Sequence, residues 1–148
     1  MNDRLAAEQV LKEKGFFVKT TAGISMKPLF RDRCDRVVIK PVTQRLKKYD
    51  VPLYRRGDEL VLHRVIEVKG DGYVICGDNC VNFEDVKDEQ IIGVLSEFYR
   101  KNKHYSVEHR GYKLYSRIWV AIYPVRMFFK RVRGRAAKIY HKLWRKNG

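Results

Sequence analysis

The sequence has few cysteines, and they form no pairing pattern. Only three of its 148 residues are cysteine, at positions 34, 76 and 80. Because a disulfide-stapled secreted domain needs a larger and even set, we expect free thiols in a reducing compartment. Cys76 and Cys80 have the spacing of half a metal site, but no second ligand pair lies near them in the sequence. We therefore expect no metal and no other cofactor.

The sequence also lacks a long hydrophobic run. No stretch reaches the roughly 20 apolar residues that a membrane-spanning helix requires. The charged segment over residues 1–14 has neither the apolar region nor the small-residue cleavage site of a signal peptide. These features predict a cytoplasmic protein with no transmembrane helix and no signal peptide.

Acidic residues are scarce, and none follows Glu108. The chain has 17 Asp and Glu against 32 Lys and Arg, which gives a formal net charge of +15. Such an excess predicts an anionic partner, either a nucleic acid or acidic lipid headgroups. Hydrophobic residues nevertheless make up 45% of the chain, which favours a folded globular domain over disorder.

Hydrophobic periodicity divides the chain into three parts. We predict a short helix within residues 1–15 and a mainly β domain of short antiparallel strands over residues 16–104. A long basic amphipathic helix is predicted over residues 112–148. The clearest strand pattern, over residues 60–69, alternates with a period of two. Many short strands separated by turn residues are typical of a mostly β domain.

The helical tail interleaves Lys and Arg with aromatic residues, namely Trp119, Tyr123, Phe128, Phe129 and Trp144. This composition fits an amphipathic helix lying peripherally on an anionic membrane, a surface for nucleic acid, or a helix docked on the β domain. We favour the membrane, because the apolar stripe is continuous and long. Pro124 and Gly134 are expected to kink or divide the helix.

Several residues could together carry nucleophilic chemistry. Ser25 lies on a glycine turn, His63 lies in the clearest strand, and the acidic candidates are Asp78, Glu84 and Asp85. A serine is a poor nucleophile unless a neighbouring base takes its proton. Most domains of this size contain such residues by chance. Spacing alone therefore favours the plainer interpretation, in which Ser25 is a turn residue and His63 an ordinary strand histidine.

Short sequence boxes give this set a resemblance to a known superfamily. Residues 23–28 (Gly-Ile-Ser-Met-Lys-Pro) resemble the Gly-x-Ser-Met-x-Pro box of type I signal peptidases and LexA-type self-cleaving repressors. Residues 47–54 look like their Gly-Asp-hydrophobic strand, with tyrosine where glycine is usual. Residues 62–66 are similar to the His-Arg-Val segment of the endoplasmic-reticulum and archaeal branch. Residues 77–79 match its Gly-Asp-Asn box, and residues 91–94 its closing Ile-x-Gly-Val strand.

The resemblance implies a serine endopeptidase that cleaves a leader or signal segment of a peptide or protein. It makes Ser25 the nucleophile and His63 the general base, in place of the lysine of bacterial enzymes. The third, acidic member of the site is then Glu84, with its neighbour Asp85 left open. Asp78 is expected to shape the turn and support the site. A neutral imidazole can accept a proton at pH 7 without a large pKa shift.

The residues around the nucleophile form the predicted oxyanion and substrate loop. They include Gly23, Ile24, Met26 and Pro28. Most enzymes of the superfamily have serine two positions before the nucleophile, but here that position is Gly23. A side-chain hydroxyl donor is therefore missing, and backbone N–H groups at Ser25 must stabilise the oxyanion. Met26 and Pro28 also have a packing role, which keeps the serine exposed.

A second function class remains open at this point. The superfamily normally has a spanning helix just before its Ser-Met box, whereas this chain has a charged helix there. The alternative is a catalytically inactive peptidase-like module that binds an anionic membrane surface or nucleic acid through its basic tail.

Overall fold

The computed structural model describes residues 3–146 and gives them three α-helices, nine strands and one short 3-10 helix. Residues 1 and 2 of the predicted N-terminal helix, and residues 147 and 148 of the predicted tail, lie outside this range. The elements in chain order are α1 Asp3–Lys14, β1 Phe17–Thr20, β2 Arg36–Lys40, β3 Pro52–Arg56, β4 Glu59–Leu62, β5 Arg64–Val68, β6 Gly72–Cys76, β7 Glu84–Lys87, the 3-10 helix Asp88–Gln90, β8 Ile91–Arg100, β9 Lys103–Ser106, α2 Arg110–Ala121 and α3 Tyr123–Lys146.

The strands are antiparallel, as predicted, and they form two sheets. The larger sheet has the order β1-β2-β8-β3-β4, with β9 also paired to β8, and the smaller sheet has the order β5-β6-β7. Strand β8 spans ten residues because it pairs with β2 on one side, and with β3 and then β9 on the other. Strands β1 and β4 stand at the two ends of the larger sheet.

The prediction of a mainly β protein holds only for the central part of the chain. Helix and strand each account for about a third of the residues, so the chain as a whole is mixed α and β. The difference arises at the C-terminus, where two helices follow β9. The first helix ends at Lys14, and Gly15 adopts a left-handed conformation with φ of +73°, which favours glycine after a helix.

Strands β4 and β5 were predicted as one continuous strand over residues 60–69. The structure divides it at His63, because β4 belongs to the larger sheet and β5 to the smaller one. His63 is thus held at the junction of the two sheets. It is only 4% exposed. Beneath the larger sheet, a core cluster joins Leu11 of α1 to Phe30, Ile39 and Leu53.

The basic tail folds as two helices and not as one. The break lies at Ile122, one residue before α3 begins, and Pro124 occupies the first turn of α3, where its missing N–H costs nothing. Gly134 does not interrupt α3. Helix α2 and the start of α3 pack on the β domain through Val120, Tyr123 and Met127. No helix among the described residues combines the length and apolar character needed to cross a bilayer.

Candidate active site

Ser25 lies in the loop that joins β1 to β2. Met26, the next residue after Ser25, anchors the loop because its side chain is buried. The Met26 sulfur accepts a hydrogen bond from the Asp78 N–H at 3.4 Å. Ile24 on the other side is 57% exposed, and its carbonyl accepts the Lys27 N–H at 3.1 Å. A buried residue directly after the serine therefore holds the loop, while Ser25 itself stays half-buried at the surface.

Gly23 shapes the same loop but offers no donor to a substrate. Its φ of +84° lies in the left-handed region, which explains a glycine at this position. Its N–H donates to Asp32 Oδ1 at 2.7 Å. Among the backbone hydrogen bonds of the described loops, none uses the N–H of Ser25 as donor. The Ser25 N–H is therefore available to an oxyanion. Pro28 follows a cis peptide bond and is exposed.

The Gly77–Asn79 turn, which follows β6, holds the Ser25 loop in place. The Asn79 N–H donates to the Ser25 carbonyl at 2.7 Å, and the Asn79 side-chain amide donates to the Ile24 carbonyl at 3.1 Å. A Cβ at Gly77 would lie 2.7 Å from the Ser25 carbonyl oxygen and 3.0 Å from His63 Nε2. The Ser25 carbonyl group and the His63 ring therefore both approach Gly77, where a side chain would not fit. Among the described residues, no hydrogen bond joins the Ser25 hydroxyl to His63.

The His63 ring is oriented by Tyr54, a residue that the sequence analysis did not identify. The Tyr54 hydroxyl donates to Glu84 Oε2 at 3.0 Å and lies 3.2 Å from His63 Nδ1. Because the single hydroxyl proton is donated to the carboxylate, the Tyr54 oxygen accepts a hydrogen bond from the Nδ1–H group. This network assigns the Nδ1–H tautomer to neutral His63. Nε2 is then an unprotonated acceptor that faces Gly77 and the Ser25 loop.

Of the two acidic candidates, the structure brings Glu84 to the histidine and not Asp85. Glu84 Oε1 lies 3.6 Å from His63 Nδ1 and 3.1 Å from Arg56 Nη1. Asp85 is the next residue of β7 and projects from the opposite face. It forms an exposed ion pair with Lys69 at 2.5 Å.

Burial is the main influence on the protonation of this network. Burial lowers the pKa of His63 below its usual value of 6.5, and the nearby Arg56 acts in the same direction. The Glu84 carboxylate opposes them. Burial, followed by the Glu84 charge, raises the pKa of Tyr54 far above its usual range. At pH 7 His63 is therefore neutral and able to accept a proton, and Tyr54 remains a donor.

Replacing Glu84 by glutamine should lower the pKa of His63 further. Removing the carboxylate removes the interaction that opposes burial, so the midpoint should move down in pH from the wild-type position, which itself lies below 6.5. An NMR titration of the imidazole measures both midpoints. Asp85→Asn is the matched control and should leave the midpoint unchanged. An upward shift in Glu84→Gln would contradict the assignment of Glu84 as the partner of His63.

Asp78 lies in the Gly77–Asn79 turn and forms a buried ion pair. It is fully buried and receives two hydrogen bonds from the buried Arg64, from Nε at 2.7 Å and from Nη2 at 2.8 Å. The Tyr115 hydroxyl donates to the same carboxylate at 3.0 Å, and Arg64 also donates to Ser116 Oγ at 2.8 Å. Both tail residues belong to α2. The buried ion pair therefore joins the Gly77–Asn79 turn to β5 and to α2.

The two C-terminal helices bind the backbone of the same turn. The Trp119 indole donates to the Asp78 carbonyl at 3.1 Å, the Tyr123 hydroxyl donates to the Gly77 carbonyl, and Lys130 donates to the Asn79 carbonyl. Trp119 and Tyr123, which the sequence analysis grouped with interfacial aromatics, thus point inward. Their spacing of four residues indicated that both side chains lie on the same face of a helix, but it could not show which surface that face contacts.

An apolar cavity of about 100 Å³ lies beside Ser25. Its lining includes Phe17 of β1, Leu60 and Leu62 of β4, and Met26. Strands β1 and β4 end the larger sheet, so each has one edge that pairs with no other strand, and helix α1 contacts both of them. The arrangement can accept an extended peptide whose side chain enters the cavity.

Neither a thiol nucleophile nor a metal ion is supported as a part of this site. Cys80 Sγ lies 4.0 Å from the Ser25 carbonyl oxygen, but burial raises the pKa of the thiol, so it is a weak nucleophile. No group of three or more His, Cys, Asp or Glu side chains within the described residues could hold a metal ion.

Two comparisons with known proteins found no match to this chain. No protein-family model matches the chain. No curated protein has significant sequence similarity to it.

Proposed function

We propose that the protein is a serine endopeptidase that uses Ser25 as nucleophile and His63 as general base. The observation that carries the proposal is the orientation of His63. Its Nδ1 is engaged by Tyr54 and Glu84, and its Nε2 faces the turn that holds Ser25. A base with one nitrogen fixed and the other free beside a serine is the arrangement that nucleophilic hydrolysis requires.

In the proposed reaction, Ser25 Oγ attacks the peptide carbonyl carbon while its proton passes to His63 Nε2. The resulting imidazolium is stabilised by the Tyr54 hydroxyl oxygen and the nearby Glu84 carboxylate. The same proton then goes to the leaving amine as the C–N bond breaks. A water molecule, deprotonated by His63, hydrolyses the acyl-serine ester and regenerates the free Ser25 hydroxyl. Catalytic hydrogen bonds between serine and histidine often shorten only when substrate binds.

The negative charge on the oxygen of the tetrahedral intermediate needs hydrogen-bond donors that are positioned before the reaction begins. The N–H of Ser25 is the donor supported by the loop geometry, because the Gly23 N–H is already bonded to Asp32. With no hydroxyl at Gly23, the proposed oxyanion site uses backbone donors, which are held by the Met26 anchor and by the bonds from Asn79.

The proposed substrate is an extended apolar segment such as a leader or signal sequence. The cavity beside Ser25 is lined mainly by apolar side chains, and some of them belong to β1 and β4, the two end strands of the larger sheet. An extended segment can pair its backbone with such an edge while alternate side chains enter the cavity. Leader and signal segments carry apolar stretches and small residues near their cleavage sites, which suits this cavity.

A fluorophosphonate probe, which phosphonylates activated serines, tests the proposal. We expect wild-type protein to be labelled, with mass spectrometry locating the adduct on Ser25. Ser25→Ala should not be labelled. Ser96→Ala is the matched control and should be labelled as wild type, since the Ser96 hydroxyl is bonded to the Val38 carbonyl in β2, away from His63. Equal labelling of Ser25→Ala, or no labelling of folded wild type, would instead favour a non-catalytic binding module.

A further inference from the structure

Helix α3 carries an apolar surface that no described part of the chain covers. Between 46% and 64% of each side chain on this surface is exposed. We call it the outer face of α3, and its residues are Val125, Phe129, Val132, Ile139, Tyr140 and Leu143. Buried apolar side chains normally provide the stability of such a helix, so a long exposed stripe indicates an interaction site.

The outer face lies opposite the side of α3 that packs on the domain. With 3.6 residues per turn, Val125 and Phe129 are on one side of the helix, and Tyr123, Met127 and Lys130 are on the other. Exposure agrees with this geometry, because Tyr123 and Met127 are only 3% and 8% exposed. The apolar stripe is therefore separate from the side of α3 that packs on the β domain.

Exposed cationic side chains flank the outer face between residues 131 and 142. Arg131, Arg135 and Lys142 follow one flank, Arg133 lies on the other, and all four are exposed. No acidic residue occurs after Glu108, so nothing in the tail neutralises these cations. At about 1.5 Å per residue, the face from Val125 to Leu143 extends roughly 27 Å.

We propose that the outer face of α3 binds the surface of an anionic lipid bilayer, with the helix lying in the plane of the interface. An apolar stripe flanked by cations, on a helix too polar to span, is the pattern of an interfacial helix. This partner goes beyond the proposed peptidase function and rests on different residues. A nucleic acid fits less well, since phosphates would meet a stripe of apolar side chains. A second copy would bring two rows of cations together.

Bilayer binding would also place the candidate site close to the membrane surface. Lys130, on the docked side of α3, donates to Asn79 Oδ1 at 2.6 Å, and Asn79 in turn bonds the Ser25 loop. The bilayer contacts the opposite side of the same helix. The Gly77–Asn79 turn therefore lies about one helix diameter, roughly 10 Å, from the bound surface.

Vesicle flotation of the full chain tests the proposal. We expect wild type to float with vesicles of phosphatidylcholine and phosphatidylserine at about two to one, and at least about tenfold less with phosphatidylcholine alone. The variant Phe129→Glu/Leu143→Glu should lose binding by at least about tenfold, because it places two carboxylates on the apolar stripe. Neither side chain is buried, so the fold should be retained, which circular dichroism and thermal unfolding would verify.

A matched control separates the outer face from a general change of charge. Val42→Glu/Val68→Glu alters net charge equally at exposed positions in the β domain and should float as wild type. The proposal is overturned if both double variants lose binding equally, or if neutral vesicles bind as well as anionic ones. It is also overturned if wild type binds an oligonucleotide but no vesicle. The same holds if wild type binds no vesicle but self-associates, and Phe129→Glu/Leu143→Glu abolishes that self-association.

Discussion

Replacing His63 by glutamine should lower kcat for peptide cleavage by about 10²- to 10⁴-fold. Glutamine can still hydrogen-bond to the Tyr54 hydroxyl, but its amide cannot accept a proton from Ser25. The loss should therefore fall on the chemical step and not on the packing at the junction of the two sheets. Cleavage of a peptide library, followed by mass spectrometry, gives the rate and the cleaved bonds.

The pH dependence distinguishes this role from a structural one. In wild type, kcat/KM should fall below the lowered pKa of His63, because protonation removes the base, and the midpoint should lie below 6.5. In His63→Gln this acid limb should disappear from the residual activity. His104→Gln is the matched control, since His104 is exposed and pairs with Glu97 at 2.9 Å, and its activity should equal that of wild type. An unchanged kcat in His63→Gln would exclude histidine base catalysis.

Asp78→Ala should lower the free energy of unfolding by about 3–5 kcal/mol. The substitution leaves the Arg64 guanidinium buried without its carboxylate partner, and it also removes an acceptor from Tyr115. Breaking one side of a buried ion pair costs more than the pair contributes, because the remaining charge cannot be solvated. Denaturant unfolding followed by circular dichroism measures the change.

Two further variants make the stability prediction specific. Arg64→Met/Asp78→Leu removes both charges and should recover part of the loss. Asp85→Ala breaks the exposed pair with Lys69, and it should leave the free energy of unfolding nearly unchanged. If Asp78→Ala were no more destabilising than Asp85→Ala, the ion pair would not be what holds the Gly77–Asn79 turn to β5 and α2.

The local signals in the sequence were sufficient for most of the strands. Alternation of apolar and polar residues, with glycine turns between the runs, predicted short antiparallel strands in the centre of the chain. The same alternation predicted one strand where the structure has β4 and β5, divided at His63. Alternation continues through a change of sheet, because it records only which side chains are buried and not which strand pairs with which.

The sequence indicated Ser25, His63 and Glu84 as candidates through short boxes that resemble those of a known superfamily, because their residue types alone are common in domains of this size. It did not identify Tyr54, which connects His63 to Glu84. A tyrosine in a buried strand is ordinary core material, and nothing local shows where its hydroxyl will find a partner. That information depends on three segments that meet only in the folded chain.

The tail shows the same division between what the sequence determines and what the fold decides. Periodicity and charge by themselves predicted that residues 112–148 are helical, basic and amphipathic, and the structure has helices over Arg110–Ala121 and Tyr123–Lys146. They could not decide that Tyr123 packs inward while Phe129 faces outward, since helical spacing gives the angle between side chains but not the partner of each face. The tertiary structure decided it, because the carbonyl groups of the Gly77–Asn79 turn accept hydrogen bonds from only one side of the helix.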